Sequence, residues 1–140
     1  VLEKQFRNYF KKADKMTGET GTNLMQLLEQ RLDNIVYRLG FAPTRAAARQ
    51  LVNHGHFLVN NRKVNIASFS VKPGDAIQVR ARSKKIDLIL DSMKRIKGDI
   101  DLPWLELDKA KMTGSMIAIP EREDMQVLVN EQMVVELYSK

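Results

Sequence analysis

The segment Arg31–Arg80 constrains the fold more than any other stretch, because its apolar period changes from helical to alternating and each change is marked by a turn residue. Leu32, Ile35, Val36 and Leu39 recur at helical spacing, and Gly40 stands where a left-handed cap ends a helix. Pro43 and Thr44 restart the chain. Thr44 is a candidate N-cap, Ala46, Ala47 and Ala48 are strong helix formers, and Asn53-His54-Gly55 stops this second helix. Beyond Gly55 the pattern is strand-like. Phe57–Asn60 and Lys63–Ile66 flank Asn61-Arg62, a hairpin signal because asparagine tolerates the positive φ of a tight turn. Lys72-Pro73-Gly74-Asp75 is a second turn, and Ala76–Arg80 alternates like a half-buried strand. The segment reads as helix, helix, then antiparallel strands.

On the second helix Arg45 and Arg49 are four residues apart and share a face, while Ala48, Leu51 and Val52 lie toward another. One side packs and the other is cationic. Arg38, near the end of the preceding helix, joins them across the turn, which puts three guanidinium groups close to a helix N-terminus, an arrangement suited to phosphate. For any single arginine a solvated basic face is the ordinary reading. The case for a polyanion surface rests on the cluster.

The net charge of +6 over 140 residues understates the asymmetry. Residues 31–97 carry fourteen basic and four acidic side chains, a net of +10, whereas residues 98–140 carry four basic and nine acidic ones, a net of −5. A field so concentrated points to nucleic acid, with an acidic protein partner as the alternative. At 44% hydrophobic and 29% charged the chain has a globular composition, enough for one or two small domains. It has no apolar run long enough to span a bilayer and no signal-peptide pattern, so a soluble intracellular protein is expected. The absence of cysteine excludes disulfides and thiolate metal sites. Beginning at Val1, the chain reads as a truncated or processed form.

Glu3–Lys15 places Phe6, Tyr9 and Phe10 on one helical face, read as core rather than as a base-stacking platform. Lys11, Lys12 and Lys15 either touch phosphates or are solvated. A second helix from about Asn23, through Leu24, Leu27 and Leu28, continues its period to Leu39 without a breaker and is expected to lead directly into the segment above. After Arg80, Ser83 is the expected N-cap of a helix with Ile86, Leu90 and Met93 on one face, and Lys94, Arg95 and Lys97 suit its C-terminal end. Trp104 reads as a packing residue opening an edge strand to Leu107, and Thr113–Ile119 reads as extended. Glu121–Asp124 is either a solvated acidic loop or a surface for a basic neighbour. A last helix is expected from Asn130 through Met133, Val134, Leu137 and Tyr138, with a strand as the alternative.

Motifs for chemistry are missing. His54 and His56 have no evident third metal ligand nearby, and His54 reads as a helix-capping residue. General acid/base work by either needs a second group placed across a site. Gly18-Glu19-Thr20-Gly21 lacks the following Gly-Lys-Ser/Thr of a phosphate loop. No catalytic residue, metal or cofactor is assigned, and the aromatic signature of a single-strand-reading sheet is also missing.

Thr44-Arg45, Ala48–Val52, His54-Gly55, Val59-Asn60, Val64-Asn65 and Lys72-Pro73-Gly74-Asp75 resemble the RNA-binding module named after bacterial small-subunit ribosomal protein S-four. That module is also appended to pseudouridine synthases and tyrosyl-tRNA synthetases. The flanks resemble the ribosomal family itself: Gln5-Phe6-Arg7, Tyr9-Phe10, Gly21–Asp33, Trp104–Leu107, Pro120-Glu121-Arg122 and Asn130–Lys140. Asn61 and Ala67 depart from the Gly and Pro usual there, and the sequence, read as a truncated form, is expected to be missing the further N-terminal segment usual in the family.

The resemblance implies an α+β fold of two domains. One is helical and discontinuous, 1–32 and 114–140, its C-terminal segment returning to pack with the N-terminal helices. The other, 33–113, is an α/β RNA-binding domain with a small antiparallel sheet, the module covering about 31–95. It implies a non-enzymatic component of the small subunit that binds 16S ribosomal RNA directly, nucleates assembly of the subunit body, influences decoding accuracy and in some members represses translation of its own messenger RNA. A neighbouring small-subunit protein, notably protein five, is an expected partner, in the cytoplasm. Membranes and small-molecule substrates are not. Arg38, Arg45, Arg49, Lys63, Arg80, Arg82, Lys84 and Lys85 are the residues expected to meet RNA phosphates. The other classes are a fragment of an RNA-modifying enzyme, which needs a catalytic domain, and a basic protein-interaction module, which needs no folded RNA.

Overall fold

The computed structural model describes residues 3–16, 18–95, 102–121 and 123–124. By its internal contacts the chain divides into two compact units, Val1–Glu29 with Pro120–Lys140, and Gln30–Ile119.

The first unit contains helices α1 (Glu3–Lys15) and α2 (Thr20–Glu29). Ala13, Leu24 and Leu27 are buried between them, with Phe6, Tyr9, Phe10 and Leu28 packed around, so the aromatic face is core as its spacing indicated. The buried Asn23 side chain donates from Nδ2 at 3.1 Å to the carbonyl of Ala13, near the end of α1, which also accepts from the Met16 amide. Gln26 Nε2 donates to the Pro120 carbonyl at 2.9 Å.

In the second unit, α3 (Leu32–Arg38) and α4 (Arg45–Asn53) precede a five-stranded antiparallel sheet in the order β2-β1-β3-β5-β4. The strands are β1 (Phe57–Val59), β2 (Arg62–Lys63), β3 (Ala76–Val79), β4 (Leu105–Asp108) and β5 (Thr113–Met116), with a 3-10 turn at Ala81–Ser83 and helix α5 at Asp87–Lys94 after β3. The α+β class read from the sequence is the class observed. Trp104, Phe41, Phe57, Leu32, Ile35, Leu39, Ile77, Ile89 and Met116 are almost fully buried in one core.

Both helices of the module end on a left-handed glycine. Gly40 and Gly55 have φ +89 and +78. The Gly40 and Phe41 amides close onto the Tyr37 and Val36 carbonyls, and those of Gly55 and His56 onto Val52 and Leu51. Thr44 Oγ1 accepts from the Ala47 amide at 3.0 Å, the expected N-cap, a contact worth about 1 kcal/mol. Asn60 and Asn61, at φ +51 and +67, form the two-residue hairpin loop between Val59 and its partner Arg62, so Arg62 lies in the strand rather than the turn. The strand expected over Lys63–Ile66 stops at Lys63. Asn60 also donates from Nδ2 to Asp75 Oδ1 at 2.9 Å, which ties the hairpin loop to the Lys72–Asp75 turn.

Two expectations are corrected. The helix expected to run from Asn23 to Leu39 is broken: α2 ends at Glu29, α3 starts at Leu32, and Arg31 is extended at φ −62, ψ 141. Arg31 pairs with Ser70, and the amides of Leu32, Asp33 and Val71 are satisfied across the same short antiparallel contact, so tertiary pairing overrides a helical period. Ser83 does not cap α5, whose N-cap is Ile86 without a side-chain bond. Its hydroxyl is engaged elsewhere, by His56. β4 is an edge strand of the sheet, and Trp104, at 1% exposure, is a packing residue. The helix expected from Asn130 lies outside the described residues.

Candidate nucleic-acid interface

The residues expected to meet phosphate fall into two groups. The first surrounds Tyr37, on the last turn of α3. The Arg45 guanidinium carbon lies 4.9 Å from the ring centroid and that of Arg38 5.4 Å, so two cations share one aromatic ring. Arg45 Nε also donates to Oδ1 of the buried Asn34 at 3.1 Å. Arg45 is the first residue of α4, and Arg49 follows one turn later, exposed.

The second group is organised by Gly55 and His56, where the chain leaves α4 for β1. The Arg80 amide donates to the His56 carbonyl at 2.9 Å, and Arg80 Nη1 donates to the Gly55 carbonyl at 3.3 Å. The Lys63 side chain passes over Gly55 so closely that a Cβ there would stand 2.5 Å from Lys63 Cε. His56 Nδ1 and Ser83 Oγ share a hydrogen bond at 2.8 Å, which ties the start of β1 to the 3-10 turn beside the exposed Arg82, Lys84 and Lys85. Burial lowers the His56 pKa below its ordinary 6.5, and the neighbouring His54 and Arg80 lower it further. The His54 and His56 rings are 6.1 Å apart. Among the described residues no three His, Asp or Glu side chains converge as a metal site.

One member of the basic field does not face outward. Arg31 is 5% exposed and grips Asp33 with Nε and Nη2, both at 3.1 Å. Sequence reasoning missed Tyr37 and Asn34 as supports for Arg45, and Ser83 as the partner of His56. A tyrosine adjoining Arg38 in a helix, opposite a helix that begins with arginine, was the available signal for the first.

Residues 30–77 match the family described as the S4 domain, and residues 1–29 match the Ribosomal protein S4/S9 N-terminal domain. The small ribosomal subunit protein uS4 of Chlorobaculum tepidum is 56% identical over 140 residues, all of this chain and 69% of the relative. Those of Maridesulfovibrio salexigens and Hahella chejuensis are 57% and 53% identical, again over the whole chain and over 67% and 68% of their own lengths. Identity of that degree, from the N-terminal helices through the module and beyond it, leaves one conclusion: the chain belongs to the uS4 family of small ribosomal subunit proteins.

Proposed function

We propose that this protein is a structural component of the small ribosomal subunit that binds 16S ribosomal RNA directly. The face carrying Arg38, Arg45, Arg49, Lys63, Arg80, Arg82, Lys84 and Lys85 is the contact surface. The observation that carries the reading is the pair of guanidinium groups held on Tyr37, inside the residues that match the S4 domain. Arginine forks bridge phosphate oxygens, lysine tips add charge, and a fixed spacing of cations selects a particular arrangement of RNA backbones. Recognition is by shape and phosphate position rather than by stacked bases.

In this reading the protein holds the helices of an RNA junction together, nucleates the subunit body, contacts a neighbouring small-subunit protein such as protein five and influences decoding accuracy. It carries out no catalytic step and works in the cytoplasm on the ribosome. Among the described residues no helix is long and apolar enough to cross a membrane. The domain reading, a discontinuous helical domain (1–32 and 114–140) and an RNA-binding domain (33–113), belongs to the same proposal. The compact units favour boundaries at 29/30 and 119/120. The test is competition between a 16S 5′-domain transcript and an unrelated folded RNA of equal length. Preference for the 16S transcript at every salt concentration is expected, and equal binding contradicts the reading.

A further inference from the structure

Arg45 is held twice, by the Tyr37 ring and by Asn34 Oδ1 on its Nε. A guanidinium presents donors along the edges of a flat fork. With Nε engaged, the edge formed by its two terminal nitrogens is left for a ligand. Among the described residues those terminal nitrogens have no hydrogen-bond partner. The adjacent carboxylate does not neutralise them, because Asp33 accepts from Arg31 Nε and Nη2 and from the Asn34 amide. Asn34 is only 5% exposed, so its carbonyl oxygen is a fixed point rather than a mobile surface group. A long side chain held this way has already lost the rotamer freedom that ligand binding would otherwise remove.

We propose that Tyr37 and Asn34 are positioning residues that preset the Arg45 fork, with Arg38 beside it on the same ring, for two-pronged recognition of one RNA backbone phosphate. The inference rests on the reading of this face as the RNA contact surface and names how one site on it works. Tyr37 acts through the arginines, not by touching RNA.

The experiment is a double-mutant cycle with a 16S 5′-domain transcript. Tyr37→Leu keeps apolar bulk against the core and removes the aromatic face. It is expected to weaken binding about five-fold, whereas Tyr37→Phe binds as the unaltered protein does. In the Arg38→Ala/Arg45→Ala background, Tyr37→Leu is expected to cost nothing more. A loss of the same size in that background means that the ring itself meets a base and overturns the proposal, as does failure of Tyr37→Phe to restore binding. Should Tyr37→Leu not fold, Arg45→Lys decides, since it keeps the charge and loses the fork. Weakening close to that of Arg45→Ala supports the proposal, and unchanged affinity overturns it. If the unaltered protein prefers the 16S transcript and the cycle shows no coupling, this inference alone fails. If the unaltered protein shows no preference, the functional reading fails and this inference with it.

Discussion

Gly55→Ala probes the link between backbone geometry and the basic surface. Gly55 sits at φ +78, where an L side chain costs about 1–2 kcal/mol. The added methyl carbon would stand 2.5 Å from Lys63 Cε and 3.1 Å from Nζ. That overlap adds little to the stability cost, because Lys63 is exposed and its tip can swing away. Swinging away removes the ammonium from its place near Arg80, whose Nη1 donates to the same glycine carbonyl. A loss of about 1–2 kcal/mol corresponds to a melting temperature lower by roughly 5–15 °C for a unit of about this size. Loss of one phosphate contact lowers the slope of log affinity against log salt by about 0.7–0.9. Thermal denaturation and a salt series of RNA binding read the two effects separately. In a Lys63→Ala background the stability cost should persist and the slope change should vanish. An unaltered melting temperature would refute the left-handed assignment, and an unaltered slope would refute the role of Lys63.

Gly114→Ala on β5 would put a Cβ 2.6 Å from both methyl carbons of the fully buried Leu39 and 3.1 Å from the Glu106 carbonyl. Denaturant unfolding should show a loss of about 1–3 kcal/mol, and combining it with Leu39→Ala should destabilise by less than the sum of the two single changes. For His56, the folded protein binds its proton less readily than the unfolded chain, because burial, His54 and Arg80 all disfavour the imidazolium. Its contribution is therefore complete above the ordinary pKa of 6.5, and stability is lost as the pH falls below that value. His56→Gln should flatten the stability profile as the pH falls below 6.5, and an unchanged profile would show that His56 is not the group titrating.

The features legible in the sequence are those decided locally. Gly40 and Gly55 cap helices because left-handed backbone favours glycine, and Thr44 caps because its hydroxyl reaches an amide three residues ahead. Gly74, at φ +94, turns between Lys72 and Asp75 for the same reason as the other two glycines. The misread features are decided by distant partners. Nothing between Leu28 and Leu39 breaks the helical period, yet Arg31 is extended because Ser70, far along the chain, pairs with it. Ser83 precedes an apolar period as a cap would, but its hydroxyl goes to His56, 27 residues away. The candidate site was read as a list of cations. Arg45 is held by residues that look like ordinary helix positions, Asn34 and Tyr37, and one cation of the basic segment's charge, Arg31, is buried against Asp33.

The central claim is that this face contacts ribosomal RNA through its phosphates. The most direct measurement is the salt dependence of binding to the 16S 5′ domain for the unaltered protein, for Arg45→Ala/Arg49→Ala, and for Lys109→Ala/Lys111→Ala from the acidic C-terminal part. The account predicts that the first pair weakens binding and lowers the slope by about 0.7–0.9 for each contact removed, while the second pair leaves both nearly unchanged. Equal losses from the two pairs, with both variants folded, would contradict it.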